Sequence, residues 1–186
     1  MSTDTDRAIV DRVKARRGGQ LIALDRTLLH SPPVADGWNS FLGAIRTQTS
    51  LETSIRELAI CRVAMLNKAW YEWHAHAPIL EASGGLSAEG IEFVKTAGVE
   101  EGSLEGFGER GRELLGERHW AVLRYTDAMT RGCVVPQPVF EGLKAVFSER
   151  EVVEVTSTVA AYNCVSRFLV ALDVGEMAEK YGIDMS

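Results

Sequence analysis

Cysteine is scarce in this chain of 186 residues, which has only three. Cys61, Cys133 and Cys164 lie far apart and form no C-x-x-C pair. A disulfide framework needs paired cysteines and a structural zinc site needs closely spaced ligands, so the sequence favours neither. We therefore expect free thiols, most of them buried, and no metal site.

Basic clusters and long apolar runs are also lacking. The chain has 20 Lys and Arg against 26 Asp and Glu, a formal net charge of −6, and its one basic cluster is Lys14-Ala-Arg-Arg17. An acidic chain is a poor match for a polyanion, so we expect no nucleic-acid partner. No apolar run approaches the roughly 20 residues that cross a bilayer, and the start of the sequence lacks the order of charges of a secretory signal. We expect no membrane partner and a cytoplasmic location.

Patterns typical of β-strands are absent, whereas helical patterns fill the chain. With 46% hydrophobic and 25% charged residues, the composition predicts one domain over residues 1–186. Trp38, Phe41, Leu42 and Ile45 recur at the three- and four-residue spacing of an amphipathic helix. We predict a glycine-rich surface connection over 98–116 with room for a short helix, and helices over 6–17, 21–29, 34–45, 50–66 with Ser50 capping its start, 69–82, 88–96 with Ser87 as N-cap, 118–130, 136–147 and 149–172.

The segment 55–76 is the best candidate for an active site. It combines an apolar helical pattern with Glu57, Glu72, His74 and His76, which are costly to bury. Glu72 and His76 are four residues apart and share a helical face, whereas His74 points roughly the opposite way. Such a pair suits proton transfer, because two titratable groups in a partly apolar pocket can hold different protonation states. An ordinary surface pair would have the same spacing.

Three motifs in and after this segment resemble a known family. They are Arg56-Glu-Leu-Ala-Ile-x-Arg-Val-Ala64, Tyr71-Glu-Trp-x-x-His76 and Gly85-Leu-Ser-Ala-Glu-Gly-Ile91. They are similar to the carboxymuconolactone decarboxylase and alkylhydroperoxidase D superfamily, and the likeness extends from Leu29 to Phe168. The resemblance implies an all-α, alkylhydroperoxidase D-like bundle of about eight helices that assembles as a homotrimer or homohexamer. Residues 1–20 would be an N-terminal helical extension of this carboxymuconolactone decarboxylase-like domain.

The peroxidase branch of this superfamily uses a C-x-x-C-x-x-x-H motif and a carboxylate on the preceding helix. Glu57 and His76 match the carboxylate and the histidine, but Ala69 and Glu72 stand at the two cysteine positions. A dithiol relay needs one sulfur to attack the peroxide and another to resolve the sulfenic acid. We therefore expect no dithiol peroxidase activity and place the chain in a branch that lacks the C-x-x-C pair.

The remaining groups favour acid–base chemistry. We predict a cofactor-free enzyme that acts by proton transfer on a small organic acid or lactone, like the decarboxylase branch, with decarboxylation, isomerisation and ring hydrolysis all open. Its predicted catalytic residues are Glu72, His76 and Glu57. Its predicted substrate-binding residues are Trp73 as an apolar wall and Arg62, Asn163 and Arg167 as polar anchors.

Each of these residues also has a purely structural interpretation. Glu57 could pair with Arg62 or another arginine, Trp73 could belong to the core or an interface, and Cys61 could be inert packing. Asn163 and Arg167, one helical turn apart, could tie helices together. For the whole protein, the alternatives are a non-catalytic ligand-binding or scaffold member of the family and a residual, cysteine-dependent peroxide activity.

Overall fold

A computed structural model of the chain describes residues 3–183, and every regular element in that range is an α-helix. The predicted all-α class is confirmed. No helix among the described residues is long and apolar enough to span a bilayer. The helices are α1 (Asp4–Arg16), α2 (Ala23–Leu28), α3 (Pro32–Thr47), α4 (Thr53–Leu66), α5 (Trp70–Ala82), α6 (Ala88–Thr96), α7 (Gly108–Arg131), α8 (Gln137–Lys144), α9 (Glu149–Ala171) and α10 (Met177–Tyr181).

The structure departs from the predicted elements in three places. Helix α7 begins at Gly108, so half of the predicted surface connection is helical, with a break at Gly116 where φ is 71°. Glycine tolerates this backbone because it has no Cβ. Ser50 does not cap α4; its hydroxyl and N–H instead donate to the Glu154 carboxylate at 2.7 and 2.9 Å. Helix α10 was not predicted, since five residues are too few to show a periodic pattern.

The chain divides into two compact units. The first comprises residues 3–49 and 172–183, and the second spans Ser50–Ala171. In the first unit, α3 packs against α1 and α2. Buried Asp25 accepts hydrogen bonds there from Arg16 and Arg17. That residues 1–186 form one domain stays a prediction.

Helix α4 is the central helix of the second unit. Eleven of its fourteen residues are buried, and α5, α6, α7 and α9 pack around it. A helix that is enclosed on all sides must bury its polar residues together with its apolar ones. Glu57, Cys61 and Arg62 are therefore all removed from solvent, at 2%, 0% and 0% exposure.

A tight turn reverses the chain between α4 and α5, where a break was predicted at Asn67 and Lys68. Lys68 adopts a φ of 54°, and the two helices pack closely against each other. In such a helical hairpin, residues at similar distances on either side of the turn come together. The reversal therefore brings Glu57 opposite His76 and Cys61 near the level of Glu72.

Helix α9 completes the surroundings of the hairpin. The helix predicted over 149–172 is confirmed, because α9 runs for 23 residues, and it packs against α4 and α5. Tyr162 and Ser166 are four residues apart on its buried face, each 0% exposed. Both side chains point towards the helical hairpin.

Candidate active site

His76 is held between a carboxylate and a phenol. Its Nδ1 lies 2.6 Å from Oε2 of Glu57, and its Nε2 lies 3.3 Å from the hydroxyl of Tyr162. The His76 and Tyr162 rings meet edge to face, with centroids 5.1 Å apart and an interplanar angle of 87°. His76 is 9% exposed, and the other two side chains are more deeply buried. Three helices thus supply one continuous row of proton-transfer groups.

The other oxygen of Glu57 contacts the neighbouring arginine. Nε of Arg56 donates to Oε1 of Glu57 at 3.2 Å, so the arginine partner of Glu57 is Arg56 and the alternative pairing with Arg62 is wrong. The Arg56 side chain is 13% exposed. Among the described residues, its two terminal nitrogens have no hydrogen-bond partner. The site therefore has a half-buried cation with free donors beside its carboxylate.

Glu72 lies deep on the same helix as His76. It is 2% exposed, so the interpretation as a surface pair is wrong. The Ser166 hydroxyl lies 3.1 Å from both carboxylate oxygens of Glu72 and donates its one proton to that carboxylate. The carboxylate that lies within hydrogen-bond distance of the His76 ring is that of Glu57, at 2.6 Å from Nδ1.

Cys61 is influenced by both carboxylates. Burial raises the pKa of its thiol well above the ordinary value of 9.0, and the negative charges of Glu57 and Glu72 raise it further. A nucleophilic or peroxide-reducing cysteine must be a thiolate, which these surroundings disfavour. Cys133 and Cys164 are exposed, so the prediction that most of the thiols are buried is wrong.

Arg62 is enclosed by acceptors of its own. Its Nε and Nη2 donate to the two oxygens of Asp127 at 2.6 and 3.0 Å, and its remaining bonds go to the carbonyl oxygens of Val94 and Ala97 at 2.8 and 2.6 Å. A fully buried guanidinium with these partners ties α4, α6 and α7 together. The predicted role of Arg62 as a substrate anchor is therefore abandoned.

Asn163 has used its whole hydrogen-bonding capacity. Its amide nitrogen donates to the Thr130 hydroxyl and the Val159 carbonyl, each at 3.0 Å. Its amide oxygen accepts from Asn67 at 3.2 Å and from Arg167 at 2.7 Å. An amide has two donors and two acceptor sites, so Asn163 has none left for a substrate. It positions Arg167, whose own side chain is exposed.

Trp73 and His74 lie away from the row of proton-transfer groups. Trp73 is buried, and the ammonium of Lys95 on α6 lies 5.8 Å from the centroid of its ring. This contact favours a packing role over the predicted role as a pocket wall. His74 is exposed and lies 6.3 Å from the ring of Trp70, on the opposite side of α5 from His76, as the helical spacing predicted.

Tyr162, Ser166 and Arg56 were not among the predicted site residues. Arg56 precedes Glu57 directly, and Tyr162 and Ser166 share the four-residue spacing of Glu72 and His76. That spacing is the signal that could have identified them, since a tyrosine and a serine on the apolar face of a buried helix need polar partners. Among the described residues, no group of three or more His, Cys, Asp or Glu could hold a metal ion.

The family model described as carboxymuconolactone decarboxylase family matches residues 32–102, which include Glu57, Glu72 and His76. Over this segment the chain resembles the carboxymuconolactone decarboxylase and alkylhydroperoxidase D superfamily. The resemblance expected from the three motifs is thereby confirmed. No curated protein matches the chain.

Two solved structures share the fold of this chain. A protein of unknown function from Agrobacterium tumefaciens, suggested to be an antioxidant defence protein AhpD, is 23% identical with a TM-score of 0.63, over 76% of this chain and 88% of that chain. An uncharacterised peroxidase-related protein from Silicibacter sp. TM1040 is 15% identical with a TM-score of 0.68, over 93% of this chain and 85% of that chain. At these identities the likeness concerns the fold alone.

Proposed function

We propose that this protein is a cofactor-free enzyme that transfers protons on a small organic acid or lactone, with decarboxylation as the favoured reaction. The observation that carries the proposal is the 2.6 Å contact between Glu57 and His76 Nδ1, with His76 Nε2 at 3.3 Å from the Tyr162 hydroxyl. A short chain of carboxylate, imidazole and phenol in a buried site is suited to moving protons without a metal.

Glu57 fixes the tautomer of His76. When Nδ1–H donates to the Glu57 carboxylate, the lone pair of Nε2 points towards Tyr162 and can accept a proton. The imidazolium that forms is stabilised by the same carboxylate, as in other histidine–carboxylate pairs. His76 is thus assigned as the group that takes up a proton and returns it, with Glu57 as its positioning residue.

Tyr162 and Glu72 extend this assignment. The phenol of Tyr162 lies next to Nε2, so it can relay a proton between His76 and a bound substrate. Glu72, one helical turn before His76 and hydrogen-bonded to Ser166, is assigned as the second proton-transfer group.

Arg56 is assigned to the substrate carboxylate. Its terminal nitrogens have no partner among the described residues, and the residue contacts Glu57 directly. A guanidinium binds a carboxylate through two parallel hydrogen bonds, which would hold an organic acid next to His76. Loss of carbon dioxide leaves the electron pair of the broken C–C bond on the substrate as an enolate. The guanidinium stabilises its negative oxygen, and His76, protonated at Nε2 by solvent beforehand, gives that proton to the enolate carbon. The exposed Arg167 is retained as a second, outer anchor.

The test is an activity screen with carboxymuconolactone, related small lactones and aromatic acids, followed by ultraviolet absorbance and carbon dioxide release. With a substrate that turns over, His76→Ala, Glu57→Gln and Glu72→Gln should each lower kcat by about 10²-fold or more. His74→Ala is the matched control, since it removes an exposed histidine from the same helix and should leave the rate unchanged. Arg56→Gln should mainly raise KM.

Two outcomes would contradict the proposal. Full activity in both His76→Ala and Glu57→Gln would remove this site from the chemistry. Dithiol-dependent consumption of an organic hydroperoxide that Cys61→Ser abolishes would instead favour the peroxide chemistry suggested by the names of the two structural neighbours. The raised pKa of the Cys61 thiol argues against that activity. Binding of these acids without turnover of any of them would favour the alternative of a non-catalytic, ligand-binding member of the family.

A further inference from the structure

A second site of the same unit lies in a cleft on the far side of the Arg62–Asp127 pair. The cleft has a volume of about 340 Å³ and is lined by one face of α7, the loop before α7 and the start of α8. This volume is at the lower end of the range of small-molecule sites. The cleft does not include Glu57, Glu72 or His76, so it is separate from the proposed active site.

Arg124 is a basic group in the lining of this cleft. It lies half-buried in the wall, and within residues 3–183 it has neither a hydrogen bond nor an ion pair. Its nitrogens are not among the buried unpaired side-chain atoms, so they remain accessible from the cleft. An anionic ligand in the cleft would supply the missing acceptor, because a guanidinium pairs with a carboxylate in a bidentate geometry.

The rim of the cleft is fixed in place. Arg131 donates to Asp127 at 3.2 Å and to the Gly98 carbonyl at 2.7 Å, which ties the loop to α7. Gly98 has a φ of 64°, and a Cβ there would collide with the carbonyl oxygen of Ser103, so glycine is needed for the loop to fold back. The cleft is therefore preformed, which lowers the entropic cost of binding a ligand.

The lining also indicates what kind of anion would fit. Leu104, Ala128 and Val139 supply apolar walls beside the guanidinium of Arg124. Glu105 at the same cleft adds a negative charge, which disfavours ligands with several charges. A compact monocarboxylate with an apolar body matches this combination.

We infer that the cleft over Arg124 binds a small monocarboxylate with an aromatic or aliphatic body, independently of the proposed active site. Its carboxylate pairs with Arg124, and its apolar part lies against Leu104 and Val139. This is a binding site, and no chemistry is assigned to it.

The test uses benzoate as the probe and benzamide as its neutral counterpart, at constant ionic strength. Amide chemical shifts of Gly102, Ser103 and Ala128 should move with benzoate in a saturable manner. Benzamide should bind at least about tenfold more weakly than benzoate, since it lacks the charge that pairs with Arg124. Shifts confined to the residues around His76, or no saturable binding, would overturn the inference.

Variants separate this cleft from the proposed active site. Arg124→Gln should weaken benzoate binding at least about tenfold, and Val139→Phe should fill the cleft and abolish binding there. Arg112→Gln removes an exposed arginine from the same helix outside the cleft, and it should bind benzoate like the unchanged protein. His76→Ala should also leave these shifts unchanged, whatever its effect on turnover. Undiminished binding of benzoate to Arg124→Gln would rule out Arg124 as the partner of the carboxylate.

Discussion

At the scale of single residues, Cys61 links the candidate site to stability. Its pKa is raised above the ordinary value in the folded protein, so folding retains the thiol proton that the unfolded chain releases above about pH 8.5. The stabilisation is present in full below that pH and is lost as pH rises further. Stability should therefore fall as pH rises above about 8.5, by at most about 1.4 kcal/mol per pH unit from this one group.

Urea unfolding at several pH values measures this slope. Cys61→Ala should reduce the decline above about pH 8.5, although the variant itself is less stable because it leaves a small cavity. Cys133→Ala, which removes an exposed thiol, should keep the decline of the unchanged protein. An identical slope in Cys61→Ala would show that Cys61 does not titrate in this way.

Part of the site follows from residue identities and part does not. A proton-transfer site at Glu57, Glu72 and His76 stays a prediction. The structure brings Glu57 and His76 together through the turn at Asn67, where the sequence predicts a break between two helices. Tyr162 comes from a helix about 90 residues later, and no local pattern specifies which face of that helix meets His76. The prediction that Arg62 anchors the substrate failed for a similar reason, because its partner Asp127 is distant in sequence.

At the scale of helices, the Arg62–Asp127 pair joins α4 to α7 and to the end of α6. Asp127→Asn leaves the Arg62 charge buried without its counter-charge, which should lower the free energy of unfolding by about 3–5 kcal/mol. Lys144→Gln is the control, since it breaks an exposed pair with Glu141 and should cost less than about 0.5 kcal/mol. Chemical denaturation measures both values. Equal stability of the two variants would be inconsistent with a structural role for the pair.

Long helices were predictable because their apolar periodicity extends over several turns. Helix α9 shows this, since it holds its buried face throughout its 23 residues. The short α6 was predictable from its Ser87 cap instead, whose hydroxyl accepts from the Gly90 N–H at 3.1 Å. Helix α10 was missed, and only a short helix was predicted where the first part of α7 lies. Glycines surround the start of α7, and the backbone break at Gly116 interrupts its period.

At the scale of the whole molecule, assembly stays a prediction. The superfamily resemblance and several exposed apolar side chains favour a homotrimer or homohexamer; Val34, Phe41 and Val153 are 52%, 50% and 64% exposed. Light scattering coupled to size-exclusion chromatography should give three or six times the 20.4 kDa of one chain. A mass of 20.4 kDa at micromolar concentration, unchanged on further concentration, would rule out such an assembly.

The burial of α4 on all sides has a consequence for hydrogen exchange. Amide protons of a helix enclosed by four others are released to solvent chiefly when the surrounding unit opens as a whole. The amides between Ile55 and Met65 should therefore be the slowest to exchange for deuterium in the second unit. Glu57 is carried by this most protected segment, so its contact with His76 should persist during local opening elsewhere and should be lost on heating only as the unit melts.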